Sequence, residues 1–333
     1  MVPPRAQARG TPLAFCSTSC PDAHDPLHAA VTAAADQIES TYSAANARRG
    51  VLRHLLPVVG YPASIWRHRY LVQNFFRREL LGRFRGSALG IVWVLIHPMF
   101  LFAIYWFVFG CLFGKAGESA SPEYALYMFS GVIAFTAINE GLMRSCTSVV
   151  DNGNLVKKVA FPSELLPVPV ILVALTVYLV GAGVCLAIGT ACGLLTPGLP
   201  LLCLPVVLLL QFALTLGLGL LLATCHVFAR DTSHLWGIVS TAWMFLTPVF
   251  WFPTQLEKKV PWLHELFAYN PAYPIVQAHR ICLGAHDAHI GDFDVAFGDL
   301  GAHLLAASGW AALFLVLGYA VFTSRRHKFA DLV

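Results

Sequence analysis

The chain has 333 residues, 57% of them hydrophobic and 12% charged, with a mean hydropathy of +0.66 and a formal net charge of +4. Soluble domains carry about 25% charged residues, so this composition excludes a soluble enzyme, a largely disordered chain and a coiled-coil or collagen rod. The class that remains is an all-α polytopic membrane protein.

Residues 1–60 are rich in Pro and Ala and hold no apolar core near the start. A cleaved signal peptide is not expected there, and the segment reads as a flexible cytoplasmic extension in which 27–49 allows a short Ala-rich helix. Residues 61–88 mix Ile65, Trp66, Tyr70, Phe75 and Phe76 with Arg67, Arg69, Arg77, Arg78, Arg83 and Arg85. That mixture predicts an amphipathic helix lying in the membrane interface, with arginines at anionic head groups. An ordinary basic anchor ahead of the first span fits the same residues.

The spans follow over 89–324. A helical crossing needs about 20 mostly apolar residues. Segments 89–113, 232–256 and 300–324 each run 25 residues without Asp, Glu, Lys or Arg. The uncharged stretch 165–229 is 65 residues long and broken at Thr196-Pro197-Gly198-Leu199-Pro200, so it predicts two spans joined by a turn. Segment 124–149 is the sixth, and it carries Asn139, Glu140 and Arg144 toward one end. Glu140 and Arg144 are four apart and can pair on one helix face. With the N-terminus inside, twelve Lys and Arg adjoin the spans on the cytoplasmic side and four on the other. This bias places both termini, including the tail 325–333, in the cytoplasm.

Between the second and third spans, Asp151-Asn152-Gly153-Asn154 reads as a turn, followed by a short 155–160 element that Phe161-Pro162 stops. A short amphipathic element on the cytoplasmic face offers a grip to a soluble partner; a plain solvated loop is the alternative. On the fifth span, Trp236, Ser240, Trp243, Thr247 and Phe250 share one side of a helix. Phe102, Trp106, Phe109 and Phe113 form a similar stripe on the first. Ring faces and hydroxyls suit a sliding sugar chain, while helix packing and interfacial anchoring explain the same residues. Segment 253–299 predicts two short helices, 261–268 and 274–283, broken at Tyr269-Asn270-Pro271. They fit a re-entrant hairpin entering from outside. His264, His279, His286, His289, Asp287, Asp292 and Asp294 crowd there without an HExxH spacing, and no metal site is expected. The nearest text to a P-loop, Gly110 to Lys115, is one residue short and lacks the hydroxyl. Nucleotide hydrolysis therefore belongs on another chain, and no catalytic residue or cofactor is expected on this one.

Arg83-Phe-Arg-Gly-Ser-Ala-Leu-Gly-Ile-Val-Trp93, with Pro98 and Phe109-Gly110, resembles the opening of the polysaccharide-exporting ABC-2 type permeases. Asn154-Leu-Val-Lys-Lys-Val-Ala-Phe-Pro-Ser-Glu-Leu-Leu-Pro167, Arg230-Asp231 and Asn270-Pro271 resemble later motifs of the same group, and the likeness covers 65–328. The resemblance implies a permease homodimer in the inner (cytoplasmic) membrane, paired with two ATP-binding subunits that hold ATP and Mg. Its substrate would be a lipid-linked polysaccharide such as O-antigen, teichoic acid or capsule; membrane lipids surround it and no nucleic acid is involved. It further implies that Asn154, Leu155, Lys157, Lys158, Phe161, Pro162, Glu164, Arg230 and Asp231 couple to the ATPase. Arg77, Arg78, Arg83 and Arg85 would meet a lipid pyrophosphate, and the stripes on spans one and five would line the channel. A drug- or lipid-exporting ABC-2 permease shares the six-span plan. A membrane-embedded glycan-processing enzyme is the alternative of another class, and a secondary transporter lacks support in inverted repeats or mid-span acids.

Overall fold

The computed structural model describes residues 56–83, 85–105, 107–108, 122–157, 162–253, 269–285, 288–290, 293–295 and 297–333. After a 3-10 turn at Leu56–Gly60, α1 (Tyr61–Arg67) and α2 (Arg69–Gly82) form the expected amphipathic segment. Tyr61 and Val72 are buried, while Trp66, Tyr70 and Leu81 are exposed. One side of the segment thus packs on protein and the other is left open.

The bundle comprises α3 (Trp93–Tyr105), α4 (Pro122–Asp151), the single turn α5 (Gly153–Val156), α6 (Pro167–Ala191), α7 (Leu204–Phe228) and α8 (Thr232–Leu246). Then come α9 (Tyr273–Cys282), α10 (Leu300–Arg325) and α11 (Phe329–Leu332). Among the described residues, four stretches are long and apolar enough to cross a membrane: Glu123–Asp151, Ser163–Ala191, Leu199–Phe228 and Leu300–Leu332. The expected break at 196–200 joins two of them. At 1.5 Å per residue, α6 and α7 each reach about 37 Å, beyond the hydrocarbon thickness of about 30 Å.

Two expected crossings are shorter helices over their described parts. α3 has 13 residues and α8 has 15, about 20 and 22 Å; 106 and 109–113, after α3, lie outside the described residues. α8 stops because Thr247 is extended, at ψ 136°, and Pro248 follows; the residue before a proline leaves the helical region. The segment 232–256 is thus a short helix and a bend over its described part. On the far side, α9 occupies the expected 274–283, whereas 261–268 lies outside the described residues. A small antiparallel hairpin, β1 (Ala288–Ile290) with β2 (Phe293–Val295), follows. It qualifies the all-α expectation: the apolar count that marks spans carries no signal for a three-residue strand in a polar loop.

The bundle closes through small residues. A Cβ on Gly217 of α7 would overlap the backbone at Phe314 of α10, and one on Gly318 would overlap the Gly217 carbonyl. Gly141 of α4 sits against Thr215, and Gly219 against Ser145. Between apolar helices in lipid there is no water to expel, so close backbone approach is what holds them together.

Gly318→Leu is expected to force α7 and α10 apart at a cost of about 1–3 kcal/mol or more. Gly309→Ala on the same helix meets open space and is expected to be neutral or to stabilise by up to about 1 kcal/mol. Thermal unfolding in detergent, followed by size-exclusion profiles, checks the pair.

Candidate functional site

The end of the bundle that carries α2, α5 and the 228–232 loop is built around one carboxylate. Glu140 lies on α4 with its side chain 18% exposed. An acid there is costly unless paired, and two guanidinium groups reach it. Arg83, just past α2, takes both oxygens, Nη1 donating to Oε1 and Nη2 to Oε2 at 3.3 Å. Such a fork is the strongest form of ion pair geometry. Arg144, one turn along α4, places Nε 3.5 Å from Oε1. Its Nη1 donates to Glu79 of α2 at 3.4 Å. Arg78 then donates to Glu79 at 3.3 Å and to Asn152 Oδ1 at 3.0 Å. The network therefore ties α2 to α4 and to the turn that opens α5.

Of the four arginines expected to meet a pyrophosphate, Arg78 and Arg83 are engaged within the protein, while Arg77 and Arg85 are exposed. The i,i+4 pair of Glu140 with Arg144 is present. Its enlargement by Arg83 was not anticipated, although an intramembrane acid following an arginine-rich helix is the signal that asks for such a partner. Beside the network, Ile65, Trp66, Val72, Phe76, Leu172 and Leu175 line an apolar recess of about 450 Å³ between α1–α2 and α6, with Arg69 among its lining residues.

In the expected coupling segment, Asn152 lies between α4 and α5, Asn154 and Lys157 are exposed, and Leu155 and Pro162 are half-buried. Lys158 and Phe161 lie outside the described residues. Glu164 is buried. Its carboxylate faces Arg326 at 3.4 Å, and its carbonyl accepts the Tyr61 hydroxyl at 2.6 Å. Burial, and then the Glu164 carboxylate, push the Tyr61 phenol well above its ordinary value of 10.0, so it remains a donor. Asp231 is exposed, and Arg230 donates to the Leu332 carbonyl at 3.1 Å.

The stripe on α8 faces α4 and the start of α9. Trp236 and Trp243 meet edge to face at 5.8 Å, and Trp243 meets Phe135 of α4 at 5.4 Å. Ser240 and Thr247 are buried and donate to carbonyls of their own helix, those of Gly237 and Trp243. Asn270 joins the two segments: its Oδ1 accepts from Trp243 Nε1 at 2.9 Å, and its Nδ2 donates to Thr247 at 3.0 Å. Phe250 is half-buried, and Phe102 of α3 packs edge-on against Phe129 at 5.1 Å. Trp106, Phe109 and Phe113 lie outside the described residues. Outward from α8 point Leu235, Ile238, Val239 and Phe245.

Sequence reasoning missed the polar cluster on α9. Arg280 is fully buried, and its guanidinium donates to the carbonyls of Pro248, Tyr127 and Val249 at 2.9, 3.2 and 3.3 Å. The Tyr127 ring lies 3.6 Å from its Cζ. The α8 bend leaves those carbonyls at 248 and 249 without helical partners, and Arg280 supplies the donors. Next to it, His279 Nε2 donates to Gln211 Oε1 at 2.6 Å, so Nδ1 accepts from Tyr178 at 2.7 Å. Among the described residues no group of three or more His, Cys, Asp or Glu could hold a metal. Of the other residues in that crowd, His264, His286, Asp287 and Asp292 lie outside the described residues.

A family model described as ABC-2 type transporter matches residues 70–283. The chain belongs to the ABC-2 type transporter family. It is 27% identical over 268 residues to the O-antigen export system permease protein RfbA of Myxococcus xanthus, covering 80% of this chain and 97% of that one. Similarity to the protein of the same name from Klebsiella pneumoniae is 21% over 271 residues, 77% of this chain and 92% of the other. The ABC-2 match takes in α2, the Glu140 network, the coupling segment, the α8 stripe and Arg280. The motifs at 83–110, 154–167 and 230–231 had pointed to this same ABC-2 group.

Glu140→Gln is expected to leave one of Arg83 and Arg144 without an adequate acceptor, at about 1–3 kcal/mol. Amide hydrogen exchange over 69–83 in reconstituted protein should then speed up, while Arg77→Gln, on an exposed side chain, leaves it unchanged.

Proposed function

We propose that this ABC-2 chain is the permease subunit of an exporter that moves a lipid-linked polysaccharide, of O-antigen, teichoic acid or capsule type, across the inner (cytoplasmic) membrane. The observation that carries this is the similarity over nearly the whole length of two proteins named as O-antigen export permeases. Two copies form the channel, each with six crossings and with both termini in the cytoplasm. Two ATP-binding subunits, holding ATP and Mg, supply the energy, and the permease performs no hydrolysis.

In this arrangement the basic end of the bundle faces the cytoplasm. Residues 151–164, with Arg230 and Asp231, receive the ATP-binding subunits. Arg77 and Arg85, exposed beside the engaged Arg78 and Arg83, meet the pyrophosphate of the carrier lipid. The apolar recess next to Arg69 supports a carrier tail at the same depth. The rings of Trp236, Trp243 and Phe250, each only half-buried in one chain, face the glycan at the dimer seam together with Phe102, Trp106, Phe109 and Phe113. Closure of the ATPases pushes on Lys157, Lys158, Phe161 and Pro162, and the helices carry the motion to that seam. A re-entrant hairpin, of which α9 is one arm, closes the outer end.

Phe161→Asp is expected to abolish surface glycan and ATPase coupling while membrane insertion stays normal. Normal surface glycan in that strain would remove the docking assignment. Trp243→Ala is expected to slow translocation without altering assembly; unchanged flux would leave that ring a packing residue only.

A further inference from the structure

The last described segment, 326–333, is not a solvated basic tail. Phe329 is fully buried, 5.0 Å from Phe322 and 6.3 Å from Phe228 by ring centroids. Arg326 faces the buried Glu164 at 3.4 Å. Arg230 donates to the Leu332 carbonyl at 3.1 Å. Gly153, the first residue of α5, lies so close to Val333 that a Cβ would overlap its side chain. One short segment thus touches the turn after α4, the turn before α6 and the end of α7, which are otherwise separate in sequence.

Its outer side has a definite chemistry. Leu332 and Phe228 are 44% and 46% exposed. The exposed charged side chains on this segment, beside it and on the loops it touches carry both signs: Lys157, Arg230, Arg325 and Lys328 against Asp151, Asp231 and Asp331. Anionic lipid selects basic residues alone. An apolar centre among charges of both signs suits a protein surface instead.

We infer that residues 326–333 form a strap that locks the two coupling loops into one docking surface and adds Leu332 to it as a contact for the ATP-binding subunit. This rests on the proposed function, which supplies the partner. The strap sets the spacing between the loops, so that a push on either reaches α4, α6, α7 and α10 together. Arg230, assigned from sequence to partner contact, acts here as a positioning residue through the Leu332 carbonyl.

The test uses the full chain purified from its own membranes with the ATP-hydrolysing subunit that co-elutes. Leu332→Asp changes an exposed side chain and leaves the Arg230 bond, which uses a carbonyl, in place. It is expected to lower retained partner and stimulated ATP turnover about tenfold at an unchanged thermal midpoint. Lys157→Glu, on the loop itself, is the companion. Wild-type retention by Leu332→Asp with release by Lys157→Glu overturns the strap contact and leaves the functional reading standing. If no ATP-hydrolysing subunit co-elutes with the wild-type chain, that reading falls and the inference with it. Should Leu332→Asp lower the midpoint, Asp331→Lys decides: a folded variant that keeps its partner overturns the inference, and one that loses it upholds it. Weakened binding to anionic vesicles with a wild-type partner level would mark the patch as a lipid contact and overturn it too.

Discussion

Glu140 is the constraint around which the basic end of the molecule is arranged. A carboxylate on a helix of a lipid-embedded bundle is tolerated only with a partner, and one arginine on the same helix would serve. Here a second comes from outside the bundle, on Arg83. The acid is therefore a tether as well as a satisfied charge: α2 cannot move away without breaking the Arg83–Glu140 fork. Loss of one member of such a pair costs more than the pair contributes when intact. The same asymmetry explains why Glu79 and Asn152 extend the network rather than leaving Arg144 and Arg78 to solvent alone.

The opposite end solves a different problem with a similar device. Pro248 ends α8, and the freed carbonyls at 248 and 249 are buried. Unpaired backbone groups are not sustained in a membrane interior. Arg280 answers with a fan of donors, and Gly131 leaves the room its guanidinium fills, since a Cβ there would strike it. A lysine carries the charge but not the planar spread of donors. Between the two ends the bundle relies on Gly217 and Gly318, where contact is backbone on backbone.

Much of this was legible in the residues. Charge-free runs located α6, α7 and α10, and the Pro-Gly turn separated two of them, because lipid imposes a length and a composition together. Charge-free runs alone do not distinguish a straight crossing from a helix that bends at Thr247-Pro248, which is why α8 came out shorter than expected. The Glu140–Arg144 pair was legible because i,i+4 neighbours are set by helix geometry. Arg83 with Glu140 and Arg280 with Pro248 were not, since the partners lie 57 and 32 residues apart and only tertiary packing brings them together. Of the expected stripe, Trp236, Ser240 and Trp243 lie on α8, while Thr247 and Phe250 follow its end because the chain turns extended before Pro248; periodicity does not say what that face meets. Phe135 and Asn270 are what it meets within one chain.

One element joins the two polar ends of this arrangement. α4 runs 30 residues, about 45 Å, without a break. Near its start, Tyr127 gives Arg280 a carbonyl and a ring face. Phe135, two turns on, packs against Trp243. Glu140 and Arg144 hold α2, and Asn152, just past the end of α4, bonds Arg78 and opens α5. The helix thus joins the ion-pair network at one end to the arginine fan at the other. Its contacts with α2, the α8 bend and α9 lie outside the four long helices. These are polar and directional rather than broad apolar surfaces, and such contacts have discrete alternative partners where a packed core has none.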